Sequence, residues 1–189
     1  MFVAVRPPEA AVEDLDAFLE PRRAEGHFRW VLPEHWHLTL AFLADVPDRA
    51  LDDLVERLER AARKRTAMST AVTGGGAFPN VGRAKVLWAG LDLAERDREE
   101  LRRLATGCRA AAGRAGVDID GQKFRAHLTL ARTGRPVEAT SWVRLLDAYC
   151  GPPWQIAQVT LVASYLGEGP RNRPRYEIVQ AFPLRGGVA

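Results

Sequence analysis

Hydrophobic and polar positions alternate most cleanly in two short stretches, His37-Leu38-Thr39-Leu40 and His127-Leu128-Thr129-Leu130, which repeat one tetrapeptide 90 residues apart. On a β-strand this alternation sends both leucines to one face and the histidine and threonine to the other. The first strand is predicted over His35 to Leu43, with His35, His37, Thr39 and Ala41 on the polar side and Trp36, Leu38, Leu40 and Phe42 on the buried side. The second is predicted over Lys123 to Arg132 and sets Lys123, Arg125, His127 and Thr129 against Phe124, Ala126, Leu128 and Leu130. Further strands are predicted at the N-terminus and over Phe28 to Leu32, Ser69 to Thr73, Lys85 to Leu91, Gln155 to Leu166 and Arg175 to Phe182.

Helical spacing marks four other stretches. One opens at Pro8-Glu9 and carries Val12, Leu15, Phe18 and Leu19; a second runs from Pro47-Asp48 to about Arg65 with Leu51, Leu54, Val55 and Leu58 as its stripe. The longest spans Ala94 to about Ala115 around Leu101 and Leu104, and a short one covers Val137 to Ala148. Gly74-Gly75-Gly76 reads as a loop with a bulge; no Gly-Lys-Ser/Thr follows it, so it is not a phosphate loop. A strand, helix, strand pattern around each motif predicts an α+β fold. It has two pseudo-symmetric lobes, each an antiparallel sheet with helices outside, lining a central groove, with residues 1 to 189 forming one bilobal domain.

Composition narrows the class. With 47% hydrophobic and 27% charged residues the chain resembles ordinary globular proteins. No apolar run approaches the roughly 18 residues that cross a membrane, and the N-terminus lacks the basic and apolar regions of a signal peptide. A cytoplasmic monomer without membrane partners is expected. Cys108 and Cys150 stand in no zinc or redox spacing and are expected to be free buried thiols. Net charge is +3, yet 24 of the 27 basic residues are arginine. Arginine forks onto phosphate oxygens, which suits a polyanionic substrate; a solvated arginine-rich surface is the equally valid reading. The same two readings apply to Arg171 and Arg173 in the segment from Gly167 to Pro174 and to Arg175 just after it.

A given histidine precedes Leu-Thr-Leu by chance on the order of once in 2,000, so two copies point to paired half-sites. Imidazole titrates near pH 6.5, so one ring can accept a proton while the other donates one. Two threonine hydroxyls can donate hydrogen bonds to anionic oxygens between the rings. That set suits in-line displacement at phosphorus, where attacking and leaving oxygens each need a proton carrier, and it requires neither metal nor other cofactor. Two rival readings use the same residues: a zinc phosphohydrolase with His35, His37 and His127 as ligands, and a non-catalytic module that binds RNA ends.

The sequence is similar to the 2H phosphoesterases, and within them to the bacterial and archaeal RNA 2′,3′-cyclic phosphodiesterases once called 2′-5′ RNA ligases. The resemblance lies in Phe2-Val3-Ala4-Val5, Arg29-Trp30-Val31, Trp36-His37-Leu38-Thr39-Leu40-Ala41-Phe42-Leu43, Gly76-Ala77-Phe78-Pro79 and Val86-Leu87-Trp88. It continues through Phe124-Arg125-Ala126-His127-Leu128-Thr129-Leu130-Ala131-Arg132, Ser164 and Tyr176. Relatives often have Asn where His35 stands and Pro where Ala126 stands. The resemblance implies a substrate that is an RNA or nucleotide ending in a 2′,3′-cyclic phosphate, hydrolysed to a 2′-phosphomonoester. By the same resemblance His37 donates and His127 accepts the proton, and Thr39, Thr129 and Arg132 hold the phosphoryl oxygens, with Arg125 a further substrate contact. Reversible 2′-5′ joining is implied as well. Arg132 lies out of phase with His127 on an ideal strand, and a bulge or the strand's end would bring it to the polar face.

Overall fold

Two four-strand halves meet where the repeated motifs meet. The computed structural model describes residues 1–25, 28–121, 123–170 and 173–187. Its first half contains β1 (Phe2–Val5), β3 (Leu38–Phe42), β8 (Gln158–Gly169) and β9 (Arg173–Pro183). Its second half contains β4 (Met68–Phe78), β5 (Ala84–Asp92), β6 (Leu128–Val137) and β7 (Trp154–Ile156). The strand order is β7-β4-β5-β6-β3-β1-β8-β9, antiparallel throughout, with the two-residue β2 (Arg29–Trp30) paired to β6. The fold is α+β. The two sheets of the lobes are continuous with each other, joined at the β3–β6 contact through Leu38 opposite Leu128.

The helices are α1 (Glu9–Leu19), α2 (Asp48–Ala62), α3 (Glu95–Arg114) and α4 (Thr140–Asp147). Each buries one stripe: Ala11, Leu15 and Leu19 on α1, and Ala50, Leu54, Leu58 and Ala62 on α2. Leu51 and Val55, expected at the centre of the α2 stripe, are only half-buried at its margin. The motif leucines 38, 40, 128 and 130 join these stripes in one core cluster. A second, small cluster of Phe2, Ala4 and Val162 packs with Tyr176.

Three strand predictions change. β4 runs straight through the glycine triplet, bulging between Thr73 and Gly75, with Gly74 at φ +66°. Leu146 of α4 and the Trp88 ring occupy the space where a Cβ at Gly75 or Gly76 would lie, so only glycine lets those two side chains pack there. β6 begins at Leu128 and not at Lys123, and His35 sits in a 3-10 turn, Pro33–His35, ahead of β3. Third, the alternation of β3 breaks after Thr39: Leu40 and Ala41 are both buried and Phe42 is 50% exposed, the reverse of the expected phase. The cause is a bulge, since β1 pairs Ala4 with Thr39 but Val3 with Ala41. Cys150 is also exposed, whereas Cys108 is buried as expected, its thiol pushed up to about 12 by desolvation. No described helix is long and apolar enough to cross a membrane.

Candidate active site

The Leu38–Leu128 pair is the pivot of the site. In its antiparallel register His37 falls opposite Thr129 and Thr39 opposite His127. With the leucines buried, all four polar side chains project to the other face. His37 and His127 thus occupy diagonal cross-strand positions, which lie about 7–8 Å apart, somewhat less between Cβ atoms. The gap between two such imidazoles suits one phosphate group.

Each histidine is held in the same way. His37 Nδ1 lies 2.6 Å from the carbonyl oxygen of His35, and His127 Nδ1 lies 2.8 Å from that of Arg125. The carbonyl can only accept, so each Nδ1 carries the hydrogen and each Nε2 is left with a free lone pair in the neutral ring. Aromatic rings fix both planes. Phe2 stacks on His37 at 4.5 Å and Tyr176 meets it edge-on at 5.7 Å; Phe78 meets His127 edge-on at 5.0 Å, with Trp88 at 6.1 Å. Sequence reasoning assigned these four aromatics no role, because each comes from a strand distant in sequence. Tyr176 also contacts the His35 ring at 4.6 Å.

Burial sets the charge state. Desolvation pushes His37 down to about 4, its backbone hydrogen bond opposes this, and the charges of His35, Arg6 and His127 push further down. His127 is also lowered, again chiefly by desolvation, with Arg132 and Arg125 adding to it. Both rings are therefore neutral at pH 7 in the free protein, and a proton on His127 disfavours one on His37.

A bulge in β6 puts Arg132 on this face. β5 pairs Trp88 with Thr129 but Leu87 with Ala131, so Leu130 is the extra residue and Arg132 follows it in phase with Thr129. It matches the bulge of β3 at Leu40, so Arg132 and Phe42 hold equivalent places after the two motifs. The Arg132 charge reaches both His127 and Tyr176. Arg125 instead lies with its guanidinium 5.6 Å over the Phe78 ring. The Thr39 and Thr129 hydroxyls are half-buried and make no hydrogen bond among the described residues. Among those residues no three His, Cys, Asp or Glu side chains are grouped to hold a metal. His35, held against Tyr176, does not join His37 and His127 in the ligand set of the zinc reading.

An antiparallel α+β sheet with two His-x-Thr-x strands paired at its centre defines the two-histidine class of phosphoesterases. The model of the family described as LigT-like phosphoesterases matches residues 4–88 and 91–172. The chain belongs to that family. An RNA 2′,3′-cyclic phosphodiesterase of Thermus thermophilus is 33% identical over 98% of this chain and 90% of its own length. Another, from Geobacillus stearothermophilus, is 28% identical over 98% of this chain, which spans only 57% of that relative. Among solved structures, one of a Thermus thermophilus protein superposes with TM-score 0.71 at 32% identity, covering 99% of this chain and 98% of that one. Escherichia coli LigT complexed with 3′-AMP gives 0.76 at 24% identity, covering 97% of each chain.

Proposed function

We propose that the protein hydrolyses RNA 2′,3′-cyclic phosphate ends to 2′-phosphomonoesters, without metal, by proton transfer at His37 and His127. The observation that carries this reading is the matched pair of imidazoles, each tied at Nδ1 and free at Nε2, diagonal across one strand pair. Water attacks phosphorus while the neutral Nε2 of His127 takes its proton; the P–O3′ bond breaks as protonated His37 gives its proton to O3′. The phosphate stays on O2′, and Thr39, Thr129 and Arg132 donate hydrogen bonds to its non-bridging oxygens. The relatives named RNA 2′,3′-cyclic phosphodiesterases support the substrate.

The order of the two pKa values bears on the roles. His37 is the more strongly depressed, so its protonated form is the stronger acid and neutral His127 the stronger base. The productive microstate is the scarcer one in the free protein, and a bound phosphate anion favours it by raising both values. The test is hydrolysis of 2′,3′-cyclic-phosphate-ended RNA in EDTA by wild type, His37→Ala and His127→Ala. Each variant is expected to lose several powers of ten in rate; near-wild-type turnover in either ends the mechanism. An analogue with a nitrophenolate leaving group, which needs no protonation, is expected to rescue His37→Ala and not His127→Ala. Binding of the cyclic end without turnover by wild type would support the rival reading of a non-catalytic module.

A second reading is favoured by one feature, a cavity of about 430 Å³ lined by Trp88, Phe124, Ala126, Gly75 and Arg98 among others, and so adjoining the second motif through Ala126 and through Trp88, the ring that packs on His127. That volume lies in the range of small-ligand pockets. A nucleoside held there is the second substrate that 2′-5′ joining needs: with its 5′-hydroxyl in place of water, the same proton transfers would join two RNA ends by a 2′-5′ bond.

A further inference from the structure

Arg6 follows β1, whose register of Ala4 with Thr39 and Val5 with Leu38 continues to place Arg6 opposite His37. It is exposed and makes no ion pair among the described residues. Arg173 opens β9, and its Nη1 is buried with no acceptor among the described residues. Its neighbour Arg175 is different: it is clamped between Glu168 and Glu177, at 2.8 and 3.2 Å, and lies over the Tyr165 ring. The charges of Arg6 and Arg173 are both felt by His35, whose ring packs on Tyr176 beside His37. Glu34 is the carboxylate that His35 feels, and it pairs with neither arginine among the described residues. Two guanidinium groups whose charge no carboxylate among the described residues compensates therefore lie on one side of the site, Arg6 opposite His37 and Arg173 three residues ahead of Tyr176 on β9. Leaving the buried Arg173 Nη1 without an acceptor is costly, and an anion supplied by a ligand would remove that cost, with the solvated Arg6 adding its charge.

We propose that Arg6 and Arg173 form a subsite for the phosphate on the 5′ side of the terminal nucleotide, with the His35 ring as its wall. The proposal rests on the reading of His37 as donor to O3′, which puts the terminal ribose on the His37 side. The 5′-oxygen lies across that ribose, so the next phosphate of the chain falls toward the arginines. The site would thereby distinguish a chain end from a bare nucleoside cyclic phosphate, and Arg6 and Arg173 would set specificity without touching the reacting phosphorus.

The experiment compares adenosine 2′,3′-cyclic phosphate with the same compound bearing a 5′-phosphate. Wild type is expected to favour the 5′-phosphorylated substrate by about tenfold or more in kcat/KM, mostly through KM, as charge-assisted contacts allow. The preference is expected to shrink in 0.5 M salt, where screening shortens to a few ångströms. Arg173→Ala and Arg6→Gln should each lower the ratio of the two kcat/KM values toward one, while Arg175→Ala leaves the ratio as in wild type. Because the readout is a ratio within one protein, a general effect of Arg6 on His37 cancels. A wild-type ratio near one, or a ratio unchanged in the Arg6→Gln/Arg173→Ala double variant, overturns the proposal while hydrolysis stands. If neither compound is turned over while 2′,3′-cyclic-phosphate-ended RNA is, the subsite proposal falls alone; if the RNA is not turned over either, the phosphodiesterase reading falls and the subsite with it.

Discussion

At the scale of single residues the site is governed by two half-buried imidazoles that prefer to be neutral. His37 titrates near 6.5 when unfolded and about 4 when folded. The unfolded chain binds more protons between those values, so the contribution of His37 to stability is complete above pH 6.5 and lost as pH falls through that window. The loss is on the order of 3 kcal/mol at its fullest. Denaturant midpoints at pH 7 and pH 4.5 are expected to converge in His37→Gln relative to wild type. The same depression shapes turnover. The free pair must carry one proton, so kcat/KM is expected to peak on the acid side of pH 6.5, between two apparent values that belong to the pair. A profile still rising above pH 8 would contradict this. Thr39→Ala and Thr129→Ala, each removing one hydroxyl donor, are expected to lower kcat by about 10² to 10³.

At the scale of elements, what the sequence disclosed and what it hid have separate physical origins. Helices α1, α2 and α3 were legible because their stripes are set by local periodicity; even there, Leu51 and Val55 fell to the margin once α2 met its neighbours. The motif strands were legible in their chemistry and illegible in their limits. A bulge is a relation between strands, so Leu40 and Leu130 carry no local sign of being extra residues. Phase arithmetic alone put Arg132 on the opposite face from His127, the family resemblance called for it on the polar face, and the bulge that reconciles the two is supplied by the register of β5 with β6. Gly74-Gly75-Gly76 looked like a loop because nothing in the sequence reveals that Leu146 and Trp88 fill the places of the missing side chains. Gly76→Ala is therefore expected to displace the Trp88 ring. Overpacking of this kind costs about 1–3 kcal/mol, and turnover should fall with it because Trp88 packs at His127. A denaturation curve and a kcat measured on the same preparation check both. Arg171 lies outside the described residues, and of its two partners in the sequence reading Arg175 is occupied by carboxylates.

At the scale of the molecule, the halves touch through one ladder pair but share one core. Leu38 and Leu128 are each about 1% exposed at that junction. Truncating either to alanine is expected to cost about 2–5 kcal/mol, and unfolding should remain a single transition by near- and far-ultraviolet circular dichroism. The repetition of His, Thr and bulge on either side of this junction has a further consequence. Skeleton and tether are alike for the two rings, so in the proposed mechanism the direction in which a proton crosses the groove is dictated by what surrounds each ring. Phe2 and Arg6 on one side, Phe78 and Arg132 on the other, make the difference. Exchanging those surroundings, with both histidines left untouched, would let giver and taker change places.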